Sequence, residues 1–148
     1  MRHTMDTSTR QRCLSVLANS PLERLQELLP PALPSCTRWL RRAETGLMML
    51  QGRSGGAGAR FNLGEISVSR ASCQIGQHVG HGWVRGGDGR HAELIAQADA
   101  LLQDPALHDS LMRAWIAPLE TELAERRAAR SREAAASKVE FFTMVRGA

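Results

Sequence analysis

Tyrosine is absent from this 148-residue chain, and Lys138 is the only lysine among 19 cationic residues. No apolar run approaches the ~20 residues that a bilayer-spanning helix needs, which excludes that class of membrane protein. The opening "MRHTMDTSTRQRC" has no apolar stretch that could serve as a secretory signal, so the reading places the chain in the cytoplasm. Cysteine is scarce and scattered, at Cys13, Cys36 and Cys73. An odd number without a signal segment argues for free thiols, and no two stand close enough in sequence to make half a zinc site. What the chain does have is arginine. Net charge is +4 and the isoelectric point about 9.7, compatible with an anionic substrate, nucleic acid or an acidic partner. Its length suits one domain, burying roughly 70% of the surface that the unfolded chain exposes.

The spacing of apolar residues predicts an α+β fold. Helices are expected over 1–35. "STRQRCLSVLANS" puts Cys13, Val16 and Leu17 on one face, and "SPLERLQELLP" follows, with Ser20 as cap, Pro21 in the first helical position and Glu23 completing a capping box. Prolines over 30–34 end that helix. About four antiparallel strands are expected over 36–86, with turns at Thr45 and Gly46 and at Gly76 and Gln77. A glycine-rich loop, 52–64, joins the second to the third. Helices return over 88–138, capped by Asp88 and again before Pro105. Over 119–140 five cations and five anions cancel, so that helix does not read as a nucleic-acid binder. Glu122 and Arg126 stand at the favourable i,i+4 spacing. The remainder, 139–148, reads as a strand or extended tail. No repeat or long linker divides the chain.

The loop "QGRSGGAGARFNLGE" invites a phosphate-site reading, with Arg53 and Arg60 on either side of the glycines. Both standard phosphate motifs fail. No lysine follows the glycines as a Walker loop requires, and Gly56-Ala-Gly58 leads into Ala59, Arg60 and Phe61 without a third glycine. A weaker form survives, in which glycine N–H groups converge on an anion and the arginines add charge-assisted bonds. Against it stands a plain hairpin loop whose glycines supply positive φ, the better reading on composition alone. His78 and His81, three apart on a strand, face opposite ways and make a poor metal pair. His91 and Glu93 fit a helix's first turn, with His91 more readily a packing or solvated residue than an acid or base. Trp39, Trp83 and Trp115 read as core anchors. Phe141 and Phe142 are adjacent, so in a strand they cannot both point inward. Val139, Phe141, Phe142, Met144, Val145 and Arg146 are therefore expected to form a docking segment. By themselves these residues support a fold and no reaction.

Five blocks, "RQRCLSVLANS", "AETGLMMLQGRSGGAGARFNLGE", "HGWVRGGDGRHAE", "IAPLETELAERRAAR" and "SKVEFFTMVRG", in this order and spacing, resemble the PhnG subunits of the bacterial carbon–phosphorus lyase core complex. They cover nearly the whole chain. The glycine run with its following "GE" and the closing "FFTMVRG" are the most specific. The resemblance implies a two-fold symmetric heteromeric assembly with PhnH, PhnI and PhnJ. It implies that the first three subunits use ATP (with Mg2+) and an alkylphosphonate. Adenine is displaced from the ribose to leave a ribose 1-phosphonate 5-triphosphate. The iron–sulfur cluster and S-adenosylmethionine belong to PhnJ. This subunit would be accessory or scaffolding, with no cofactor and no catalytic residue of its own. The candidates Arg53, Gly55, Gly56, Gly58, Arg60 and Glu65 then rank as interface first, anion contact second and inert hairpin third. The rival reading is a small basic nucleic-acid-binding module, disfavoured by the missing tyrosine, basic helix and binding motifs.

Overall fold

The computed structural model describes residues 5–139. Its element order is α1 (Thr7–Asn19), α2 (Leu22–Glu27), β1 (Arg38–Arg53), β2 (Arg60–Ile75), β3 (His78–Arg85), α3 (Gly89–Leu102), α4 (Pro105–Leu111) and α5 (Ala117–Ala136). A π-helical turn, Met112–Ile116, joins the last two. The architecture is α+β, with one antiparallel sheet of order β1-β2-β3 between N-terminal and C-terminal helices.

The sheet has three strands where about four were expected. Thr45 and Gly46 make no turn: they pair with Ser69 and Val68, and β1 runs through them unbroken. The Thr45 and Ser69 hydroxyls meet at 2.9 Å across the ladder. Glycine is admitted at 46 because nothing packs there; a Cβ would meet no atom within 4 Å. The second expected turn is present, at Gly76 with φ 60°.

One contact organises the body. In α3 the residues Ala92, Ala96 and Ala100 recur every four positions and lie against Gly80 and Gly82 of β3. A Cβ on Gly82 would stand 2.0 Å from the Ala92 carbonyl oxygen, and one on Gly80 1.9 Å from that of Ala96. Helix and strand therefore touch backbone to backbone, which only glycine permits. Ile95, Leu102, Cys73, Ala71 and Ile75 close the core around this seam, and Cys13, Val16 and Leu17 of α1 cover it from the other side. Burial pushes the Cys73 thiol up to about 12 and raises that of Cys13 as well.

Buried Asp99 of α3 locks three elements together. Its carboxylate accepts two bonds from the Arg10 guanidinium, at 2.9 and 2.7 Å, and one at 2.9 Å from the His81 backbone N–H. Gln103 donates to the Val79 carbonyl at 2.7 Å. Two outward-facing backbone groups of strand β3, the His81 N–H and the Val79 carbonyl, are thus satisfied from the α3 side, which blunts this edge as a template for another strand.

The helix starts follow their caps, with one exception. Asp88 accepts from the Arg90 and His91 N–H groups, and Asp104 from Ala106. Ser20 does not cap α2: its hydroxyl donates back to the Val16 carbonyl at 2.7 Å, finishing α1. Helix α2 is held from outside. Trp115 donates its indole N–H to the Leu25 carbonyl at 3.1 Å, and the Arg24 guanidinium grips Glu122 of α5. The Arg24 bonds hold the Glu122 carboxyl below its ordinary value, and no Glu122–Arg126 ion pair forms.

Two outcomes follow. Gly82→Ala should cost about 1–3 kcal/mol or more by overpacking, read from urea unfolding, because the Ala92 carbonyl has nowhere to go. Gly87→Ala, in open space, should stay within about 0.5 kcal/mol of the parent chain. Glu122 is lowered by folding, so its stabilisation is complete above 4.5 and fades as pH falls through its lower folded value. Arg24→Met should therefore move the acid-unfolding midpoint to higher pH.

Candidate functional site: an uncovered β-hairpin

Strand β3 pairs with β2 only over Val68–Ile75. Of the eight residues 60–67 of β2, seven pair with β1 and none with β3. At roughly 3.3 Å per residue this two-stranded ribbon extends about 25 Å beyond the third strand. The long apolar side chains along it are exposed: Leu47 is 68% accessible, Leu63 57%, and Met48, Met49, Leu50 and Phe61 are similar. Side chains alternate along a strand, so Leu47 and Met49 fall on one face and Met48 and Leu50 on the other. Both faces of the ribbon are apolar and neither is covered. A bulge accompanies Gly64 at φ 148°, where the register shifts between Leu50 and Gln51 and Leu63 has no partner.

The glycine-rich segment is the tip of this hairpin. Ser54–Gly56 forms a short 3-10 turn, with Gly55 and Gly56 at φ 60° and 81°. The Ala57 and Gly58 N–H groups both donate to the Ser54 carbonyl, and the Ser54 N–H donates to Ala59. A Cβ on Gly58 would lie 2.5 Å from the Ser54 oxygen, so glycine is required there too. Three amides are thus spent on closing the turn. Arg53 and Arg60 face each other across the last rung of the ladder, and an Arg53 N–H leans 3.4 Å toward the Gly58 carbonyl. Glu65 pairs with Met49 midway along the ribbon. All six candidates, Arg53, Gly55, Gly56, Gly58, Arg60 and Glu65, lie on one projecting element. Of the terminal segment, Val139 is exposed beyond α5, and Phe141, Phe142, Met144, Val145 and Arg146 lie outside the described residues.

Nearer the body, the open sheet face is charged. Arg70 bonds Glu44 at 2.7 Å and stacks over Trp83, 5.5 Å from the ring centroid. These bonds, those of Arg70 foremost and Arg41 next, hold the Glu44 carboxyl below its ordinary value. Trp83 is 47% accessible and so is not a core anchor, whereas Trp115 is fully buried and Trp39 packs at the core margin under Arg42. His91 is buried with Nε2 2.9 Å from the Leu17 carbonyl, a packing role. Glu93 takes the Ala43 N–H at 3.1 Å and so staples β1 to α3. His81 Nδ1 meets the Ser72 hydroxyl at 2.8 Å. Among the described residues no group of three His, Cys, Asp or Glu side chains could hold a metal ion, and no helix is long and apolar enough to cross a membrane.

The profile of the family described as phosphonate metabolism protein PhnG matches residues 8–147. The chain belongs to the PhnG family. Its sequence is also similar to the alpha-D-ribose 1-methylphosphonate 5-triphosphate synthase subunit PhnG of Rhizobium meliloti (strain 1021). The two are 45% identical over 113 residues, 73% of this chain and 69% of that protein. The PhnG match takes in the whole hairpin and both of its apolar faces.

Residues 47–50, "LMML", were readable as exceptional from sequence alone. Four consecutive apolar residues in a strand must occupy both faces, and only a strand covered twice buries them all. Polar replacement should therefore cost the isolated chain little. Leu47→Ser with Met49→Ser should change unfolding free energy by less than about 0.5 kcal/mol per site. Ile95→Ala in the core should cost about 2–5 kcal/mol. Equal losses by chemical denaturation would show that the ribbon belongs to this domain's own core.

Proposed function

We infer that this chain is an accessory, scaffolding subunit of the heteromeric machinery that displaces adenine from ATP with an alkylphosphonate, giving a ribose 1-methylphosphonate 5-triphosphate. Membership of the PhnG family and the name of the Rhizobium relative, a synthase subunit, support the assembly and its reaction. The observation that carries the scaffolding role is the hairpin with two bare apolar faces. Soluble proteins tend not to leave such contiguous patches to water, and subunit interfaces are where they occur. A ribbon apolar on both sides suits insertion between two layers of a partner more than docking on one flat surface.

The partners in this reading are PhnI, PhnH and PhnJ, in a two-fold symmetric complex in the cytoplasm. Catalysis and cofactors sit with them: ATP with Mg2+ and the phosphonate are handled by the assembly, and the iron–sulfur cluster and S-adenosylmethionine by PhnJ. Supporting this, the chain has only three cysteines, two of them buried with raised thiol values, whereas cluster ligands come as close-set thiolates. Arg53 and Arg60 at the tip are read as interface contacts, their like charges brought together by the ladder and awaiting an acidic surface. The terminal segment from Val139 through Arg146 is read as a second dock.

The test is co-expression with the other subunits. Leu47→Asp with Met49→Asp should lower co-purification at least tenfold, while the variant chain keeps its own melting temperature. Full recovery of the complex would exclude the hairpin as the dock. The isolated chain, given ATP and methylphosphonate, should release no adenine, and stoichiometric release surviving repurification would contradict an accessory role.

A further inference from the structure

A second surface, on the body at the base of the hairpin, gathers positive charge. The end of α1, the end of β3, the first turn of α3 and the middle of α5 enclose an open recess of about 900 Å3. Arg85 enters it from β3, and Arg126, Arg127 and Arg130 from α5. Among the described residues no acidic side chain lines it. Arg10, Arg12, Arg24, Arg41, Arg42 and Arg70 each have a carboxylate within ion-pair distance. The other described arginines have none, and four of those gather in this recess.

Two of the glutamates on α5 are drawn to other helices, Glu120 to Arg12 and Glu122 to Arg24. Arg126 is oriented by one bond, from Nη2 to the Asn19 carbonyl at 2.9 Å, and Arg85 leans toward the Asn19 side-chain oxygen at 3.4 Å. The remaining donors of these two, and the guanidiniums of Arg127 and Arg130, are free to point at a ligand. Val84 and Leu123 give its floor two buried apolar side chains.

We propose that this recess binds a triphosphate group. Four forked guanidiniums around one concavity match a compact chain of phosphate oxygens, which arginine grips bidentately. An acidic peptide spreads the same charge over several residues and suits a long groove better. The volume lies within the range of small-molecule sites. Choosing a triphosphate over other compact anions rests on the reading of the chain as a subunit of a triphosphate-forming synthase.

Isothermal titration of the full chain at about 0.1 M salt, near the physiological screening length, tests it with inorganic triphosphate, ATP and a short polyglutamate peptide. Inorganic triphosphate should bind with Kd below about 1 mM. ATP binding as tightly shows that the triphosphate alone is read; ATP binding tenfold tighter shows that the nucleoside also sits on the apolar floor. Arg127→Ala with Arg130→Ala, whose side chains bond no other among the described residues, should weaken triphosphate binding at least tenfold without changing the melting temperature. Arg127→Lys with Arg130→Lys should recover only part of it, and Arg132→Ala should change nothing. Absence of triphosphate binding, binding indifferent to the double variant, or polyglutamate bound in preference would each overturn the proposal. The chain is tested alone, so this outcome is independent of whether the hairpin variants disturb the complex.

Discussion

Everything else in this fold depends on how closely α3 lies on β3. Two glycines on the strand and three alanines on the helix leave no side chain larger than a methyl at the seam, and the helix comes to rest on the strand backbone. That proximity lets a short Asp99 carboxylate reach the His81 N–H while also holding Arg10 of α1. It also fixes where the sheet is covered. A helix of 14 residues is about 21 Å long. A strand of 16 residues runs to about 53 Å. Docked over β3, α3 protects the near half of β1 and β2 and leaves the far half bare.

The bare half is therefore a consequence of the core's geometry. Its composition is not that of a half that expects water. A solvated ribbon would alternate or carry charge throughout; this one presents leucine and methionine on both sides, with Glu65 midway and Arg53 and Arg60 at its tip. The body offers the opposite surface, with Arg41, Glu44 and Arg70 networked over the open sheet face and arginines gathered between α1 and α5. The apolar ribbon and the charged recess are different surfaces that adjoin where Gly86 bonds Ser67.

Much of the fold was legible in the sequence because it rests on local signals. Asp88 and Asp104 cap the helices that their positions predict, and Cys13, Val16 and Leu17 face inward at helical spacing. The misreadings arise where tertiary context decides. Gly46 looks like a turn residue, yet it sits in a paired strand in open space. Ser20 looks like a cap, yet its hydroxyl closes the helix before it. Like Phe141 and Phe142, the adjacent Leu47, Met48, Met49 and Leu50 cannot all point inward from one strand. Summed charge over 119–140 is zero, but the sum hides that Glu120 and Glu122 are spent on other helices. Alternating Gly80 and Gly82, set against alanines four apart, was the readable sign of backbone contact. The glycine-rich segment joins two strands, as its composition suggests, whereas the exposure of the apolar shaft behind it depends on how far β3 and α3 reach.

The most direct measurement is methionine-oxidation footprinting of the chain alone and within the assembled complex. Met48 and Met49 stand on opposite faces of the ribbon, and Met112, packed against the core, serves as internal reference. The account predicts rapid oxidation of Met48 and Met49 in the isolated chain and strong protection of both in the complex, with Met112 slow throughout. Unchanged oxidation of Met48 and Met49 upon assembly would contradict the hairpin as the element by which this subunit is held.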